Sequence, residues 1–138
     1  MARAGGADAD VAAVWIEQQV LRAGALLEGL QEAGAGAGAG FNLNLPLPRG
    51  SGFEAWSAAL EVALAAISRF GPDALVVSLG LDTFVGDPIS GFCLQSTDYL
   101  RLGERLARIG LPTVLVLEGG YAVEGLGVNA VNVLQAFA

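Results

Sequence analysis

Apolar positions follow two different periods along this chain, and the changes of period mark its elements. Phe53, Trp56, Leu60, Leu64 and Ile67 fall on one helical face, with Glu54, Ser57, Glu61 and Ser68 opposite, which predicts an amphipathic helix. Gly71 and Pro72 stop it. Ala74 to Leu79 (ALVVSL) is a short apolar run rich in β-branched residues and predicts a strand buried on both faces. A 16-residue loop, Gly80 to Gln95, follows. The helical period then returns at Tyr99, Leu102, Leu106 and Ile109, with Arg101, Glu104, Arg105 and Arg108 outward. Ser96 or Thr97 is placed to cap this helix, and Gly110 and Pro112 end it. Thr113 to Leu117 (TVLVL) predicts a second buried strand. The last helix, from about Val123 to Phe137, is apolar nearly all round, with Asn129, Asn132 and Gln135 as a thin polar stripe. It is expected to be buried on most sides.

Upstream, Phe41, Leu43, Leu45 and Leu47 alternate with Asn42, Asn44 and Pro46, a period-2 pattern that predicts a strand stopped by Pro48 and Gly50. Val11 to Leu30 has apolar positions that fit a helix, weakened by Gly24 and Gly29 at ~1 kcal/mol each. Half of the first 40 residues are alanine or glycine, ending in the alternation Gly34 to Gly40. That run has the composition of a flexible linker; a phosphate loop would need a strand before it and Lys-Ser/Thr after it. Three segments result: an Ala/Gly-rich stretch over 1–32, a Gly-Ala linker over 33–40, and a regular region over 41–138.

Helix and strand alternate from residue 53 to 137, which predicts an α/β fold with parallel strands joined by crossovers. So few strands do not make a stable sheet covered on both faces. The expectation is the C-terminal part of a larger three-layer (αβα), parallel-sheet domain. Composition agrees, since 54% of the 138 residues are hydrophobic and mean hydropathy is +0.56. No apolar run reaches the ~18 residues that a membrane span needs. The surplus therefore reads as core-facing surface, which drives association if left uncovered.

Charge and absences narrow the chemistry. The 7 basic residues are all arginine, against 14 carboxylates, for a net charge of −7. A nucleic-acid-binding face is not expected. Asp8, Asp10 and Glu17 interrupt any leader-like stretch, and a single cysteine makes no internal disulfide, so a cytoplasmic protein is expected. With no histidine, neither Ser-His-Asp nor Cys-His machinery can be built from this chain. Cys93 has no activating neighbour in sequence and reads as a packing thiol.

Parallel sheets bind ligands at the carboxyl ends of their strands. The loops Gly80 to Gln95 and Glu118 to Gly125 leave those ends on one edge and bring Asp82 and Tyr121 to one rim. Asp82 is placed to ligate a metal, to orient a base, or simply to form an Asx turn. Asp87, before Pro88, reads as a turn residue. Tyr121 follows two glycines that permit close backbone approach, and its phenol either donates to a developing oxyanion or packs under the last helix. Glu118 is either held by backbone amides or in touch with substrate.

The strings SLGLDTFVGDPIS (Ser78 to Ser90) and LEGGYAVEGLGVNAVNVL (Leu117 to Leu134) resemble the histone deacetylase superfamily. The likeness is to its bacterial acetylpolyamine amidohydrolase and class II-like branch, and Gly40 to Gly50 resembles that branch's segment just upstream. It covers about residues 33 to 138; residues 1–32 bear no such likeness. The resemblance implies that Asp82 is the last of three protein ligands to a catalytic zinc. It implies that Tyr121 polarises the acetyl carbonyl and that Gly119 and Gly120 line a narrow acyl channel. The implied reaction hydrolyses an N-acetyl amide, an acetylpolyamine or acetyl-lysine, to acetate and amine. The family's other two zinc ligands and its histidine pair have no counterpart in this chain. As this chain alone, the protein is therefore expected to be inactive and not to hold zinc tightly. The other reading is a non-catalytic interaction module, or a split-enzyme partner, built on a degenerate half-domain.

Overall fold

A computed structural model describes the backbone of residues 11–16, together with residues 33, 35, 36 and 39–138. The element order is β1 (Val11–Ile16), α1 (Phe53–Phe70), β2 (Ala74–Leu79), α2 (Ser96–Ala107), β3 (Thr113–Leu117) and α3 (Val123–Leu134), closed by a single 3-10 turn over Gln135–Phe137. The three strands form one parallel sheet in the order β1-β2-β3. The α/β architecture expected from the alternation is the one observed.

The helices of the central region lie where their periodicity puts them. Trp56, Leu60, Leu64 and Ile67 of α1 and Tyr99, Leu102 and Leu106 of α2 are buried against Leu75, Val77 and Leu79 of β2. Gly71 ends α1 in the left-handed region (φ 69°), where it donates its N–H to the Ile67 carbonyl. The start of α2 differs from expectation. Gln95, not Ser96 or Thr97, is the N-cap, and its own N–H donates to Asp98 Oδ2 at 2.8 Å in a reciprocal capping box. Across the helix pair, Arg105 donates Nε to Glu61 Oε1 at 2.6 Å, with a second bond from its NH2 group to Oε2.

Upstream the sequence pattern misled. Val11–Ile16, expected in a helix, forms β1 and pairs in register with β2 from Val11↔Ala74 to Ile16↔Leu79. The rest of that expected helix, residues 17–30, lies outside the described residues. VAAVWI is apolar with two valines and an isoleucine, so the neighbouring strand decides between two periods that a short run satisfies equally. Residues 41–47, expected as a strand, form neither strand nor helix. Pro46 and Pro48 lack N–H donors, and Phe41 and Leu43 are exposed, with the Phe41 ring edge-on to Phe70.

Burial of the strands is one-sided. On β2, Leu75, Val77 and Leu79 are buried under the helices and the alternate residues only half-buried. Their register partners Val114 and Val116 on β3 are exposed. The second buried strand is thus an exposed edge strand among the described residues. An apolar run shows that both faces need cover, not that the cover is close in sequence. The last helix is corrected in the same sense. Asn129 and Val133 are its buried residues, while Val123, Val128, Val131 and Leu134 face outward. It packs on α2 through Gly103, where an added Cβ would overlap the Val133 carbonyl oxygen.

Candidate active site

Two loops meet beyond the carboxyl ends of β2 and β3, and their backbones are stitched together. Glu118 N–H donates to the Leu79 carbonyl at 3.1 Å and Leu81 N–H to the Gly119 carbonyl at 2.7 Å, so the ladder runs past both strand ends. Asp82 lies directly against Gly119, where a Cβ would stand 2.6 Å from its Oδ2. Gly120 has φ 137°, and a Cβ there would press on Leu126 and Leu81 at 2.8 and 3.0 Å. Gly119 thus permits the close approach of the Asp82 carboxylate, and Gly120 is required also by its backbone conformation. Glu118 is exposed, and Tyr121 is 53% exposed at the rim.

The loop after β2 is braced from beneath. A bridge between Phe84 and Leu94 closes it, with Val85 N–H on the Leu94 carbonyl and Leu94 N–H on the Thr83 carbonyl. The Phe84 ring fills the space beside Gly86 and Gly125. Under Asp82, the fully buried Tyr99 hydroxyl donates to the Leu81 carbonyl at 3.2 Å and lies 2.9 Å from Thr83 Oγ1. Burial pushes the Tyr99 phenol far above its ordinary value. The Thr83 bond opposes that rise, and the charges of Asp82, Asp87 and Asp98 add to it.

Asp87 does more than turn the chain. Its Oδ1 accepts from Ile89 N–H at 2.9 Å and Ser90 N–H at 3.1 Å, the expected turn. Its Oδ2 accepts from the backbone N–H of Tyr121 at 2.7 Å, 34 residues away. An Asp-Pro pair signals the turn, but no local pattern signals the second bond. Cys93 is exposed rather than packed, because the extended stretch around it turns Phe92 and Leu94 inward and the thiol out.

The histone deacetylase domain family matches residues 27–137. This chain belongs to that family. The match begins upstream of residue 33, where the resemblance in the motifs was expected to start. Among the chain's relatives, acetylpolyamine amidohydrolase 1 of Pseudomonas aeruginosa is 62% identical over 88 residues, which is 64% of this chain and 25% of the relative. Acetylpolyamine amidohydrolase 2 of the same organism is 58% identical over 88 residues, 64% of this chain and 26% of the relative. A crystal structure of the acetylpolyamine aminohydrolase of Burkholderia pseudomallei superimposes with a TM-score of 0.73 at 44% identity, over 76% of this chain and 31% of that one. The chain thus spans about a quarter of the length of the curated relatives it matches.

The deacetylase family raises the question of zinc, which the residues present do not fit. Among the described residues, no group of three or more His, Cys, Asp or Glu is gathered to hold a metal ion. The chain contains no histidine. Asp82 supplies one donor where a catalytic zinc takes about three from the protein. Among the described residues, no helix is long and apolar enough to cross a membrane.

Proposed function

We propose that this chain is the C-terminal portion of a zinc-dependent deacetylase that hydrolyses N-acetylated amines, with acetylpolyamine as the preferred substrate class. The observation that carries this reading is the rim at the strand ends, where Asp82 lies against Gly119 and a half-exposed Tyr121 follows Gly120. Identity of 62% to an acetylpolyamine amidohydrolase supports the substrate class over acetyl-lysine.

Each residue has a definite task in this reading. The Tyr121 phenol donates a hydrogen bond to the acetyl carbonyl and to the oxyanion that develops as water adds. Gly119 and Gly120 form the backbone wall of the slot through which an acyl group passes, their missing side chains letting Asp82, Leu126 and Leu81 close in behind them. Asp82 is one donor of a metal site whose remaining donors this chain does not contain. The chain by itself is therefore inactive and binds zinc weakly. The apolar face of β3 and α3 belongs against the remainder of a deacetylase domain, a partner of intramolecular or split-chain origin.

A chimera tests this. The 88 aligned residues of the Pseudomonas aeruginosa amidohydrolase 1 are replaced by those of this chain, and hydrolysis of an acetylated polyamine is assayed. The expected result is retained activity, a fall in kcat of about 10²–10³ for Tyr121→Phe, and near-complete loss for Asp82→Ala. A folded but inactive chimera sinks the deacetylase reading. Zinc-dependent hydrolysis by the purified chain alone overturns its inactivity. The second reading, a non-catalytic interaction module, is favoured by the missing histidines, and it predicts that folded, inactive chimera.

A further inference from the structure

Tyr121 has an exposed side chain at a place where the proposed chemistry needs a fixed one. The residue is 53% exposed, so packing alone does not hold its side chain. The backbone must supply the order, and it is confined on both sides. Gly120 is pressed between Leu126 and Leu81 at a φ that favours glycine. Ala122 accepts the first N–H groups of α3, from Gly125 and Leu126 at 3.0 and 2.9 Å. Between these, the Tyr121 N–H points at the nearly buried Asp87 carboxylate.

We propose that Asp87 is a positioning residue for Tyr121: one carboxylate oxygen closes its own loop, while the other clamps the Tyr121 backbone N–H and so sets where the phenol stands. The inference rests on Tyr121 being the carbonyl-polarising donor, but the clamp itself is a property of this chain. Charge-assisted bonds from a carboxylate to N–H groups are short and roughly twice as strong as neutral ones. The division of labour between the oxygens permits a selective break. In Asp87→Asn, Oδ1 continues to accept from Ile89 and Ser90, while the amide NH2 faces the Tyr121 N–H, donor against donor. The opposite flip puts the NH2 against two donors and is worse.

The test uses the full chain and does not depend on activity, so its failure is distinct from failure of the deacetylase reading. The protein has 2 tyrosines, so tyrosine-selective ¹⁵N labelling gives one amide signal for Tyr121 and one for Tyr99 as a fold control. In Asp87→Asn, the Tyr121 amide proton should move upfield and exchange with solvent at least about tenfold faster. Its ring resonance, followed with 3-fluorotyrosine, should shift toward that of a freely rotating side chain. Tyr99 should stay in place. Asp87→Ala, which removes both oxygens, should change Tyr121 to the same degree. An unmoved Tyr121 signal overturns the proposal. So does a collapse of both tyrosine signals in Asp87→Asn, since that would make Asp87 a general folding determinant.

Discussion

Tyr99 shows how a single side chain supports the rim from below. Its hydroxyl is fully buried, bonded to Thr83 and the Leu81 carbonyl, directly under Asp82. Burial raises its proton affinity above that of an exposed phenol with an ordinary value of 10.0. Above that pH the unfolded chain releases the phenolic proton while the folded chain keeps it. The native state then binds more protons than the unfolded one, so stability is full below pH 10 and falls as pH rises, by ~1.4 kcal/mol per unit from this group. In a Tyr121→Phe background, where Tyr99 is the only phenol, phenolate absorbance should appear only together with loss of helical circular dichroism. Phenolate formation in a still-folded chain would falsify this. Tyr99→Phe should cost about 1 kcal/mol at neutral pH and flatten the alkaline limb. Little of this was legible beforehand: the spacing placed Tyr99 on the core face, but its polar partners are 16 and 18 residues away in the chain.

At the scale of elements, the packing of α2 on α3 is the least tolerant contact. Gly103 is buried in mid-helix, where glycine costs about 1 kcal/mol relative to alanine, so a packing reason must outweigh propensity. The reason is the Val133 backbone, whose Cα would lie 2.9 Å from an added Cβ. Gly103→Ala should therefore destabilise by about 1–3 kcal/mol despite its better helix propensity, read as a lower denaturation midpoint. A raised midpoint would show that α3 yields without cost. The same contact explains the inversion of α3. Asn132 reaches from this helix to the Ser96 carbonyl at 2.7 Å, which draws Asn129 and Asn132 inward beside the buried Val133 and leaves Val123, Val128 and Val131 out. Hydrophobic pattern correctly identified α1, α2, β2, β3 and α3 as elements, because each carries an unambiguous period or a bounded run. It failed for β1 and for residues 41–47. A six-residue apolar run fits two periods, and an alternating run with prolines has the pattern of a strand without its donors.

For the whole molecule, the dominant feature is apolar surface without cover among the described residues. Val114 and Val116 on the sheet and Val123, Val128, Val131 and Leu134 on α3 are all exposed. Patches of this kind mark association surfaces, and β3 adds unpaired strand edge to it. The purified chain should self-associate with rising concentration in sedimentation velocity and bind a hydrophobic dye. Val116→Asp combined with Val131→Asp should suppress both while leaving helical content intact. A monomeric, dye-silent wild-type chain would mean that the face is covered within the protein itself.

The sequence alone was enough to determine the α/β class, the order of the central elements and the family to which the chain belongs, because these depend on local periodicity and on short strings such as LGLDTF and EGGY. It also showed that the chain contains no histidine. Tertiary structure decided the rest. That Asp87 holds Tyr121, that Tyr99 braces the loop under Asp82, that Val11–Ile16 is a strand, and that an apolar helix turns its asparagines inward all depend on partners distant along the chain. A hydrogen bond or a strand pairing is chosen by which donor and acceptor the fold brings within reach. Hydrophobicity tells a residue to be covered, and only the assembled fold tells it by what.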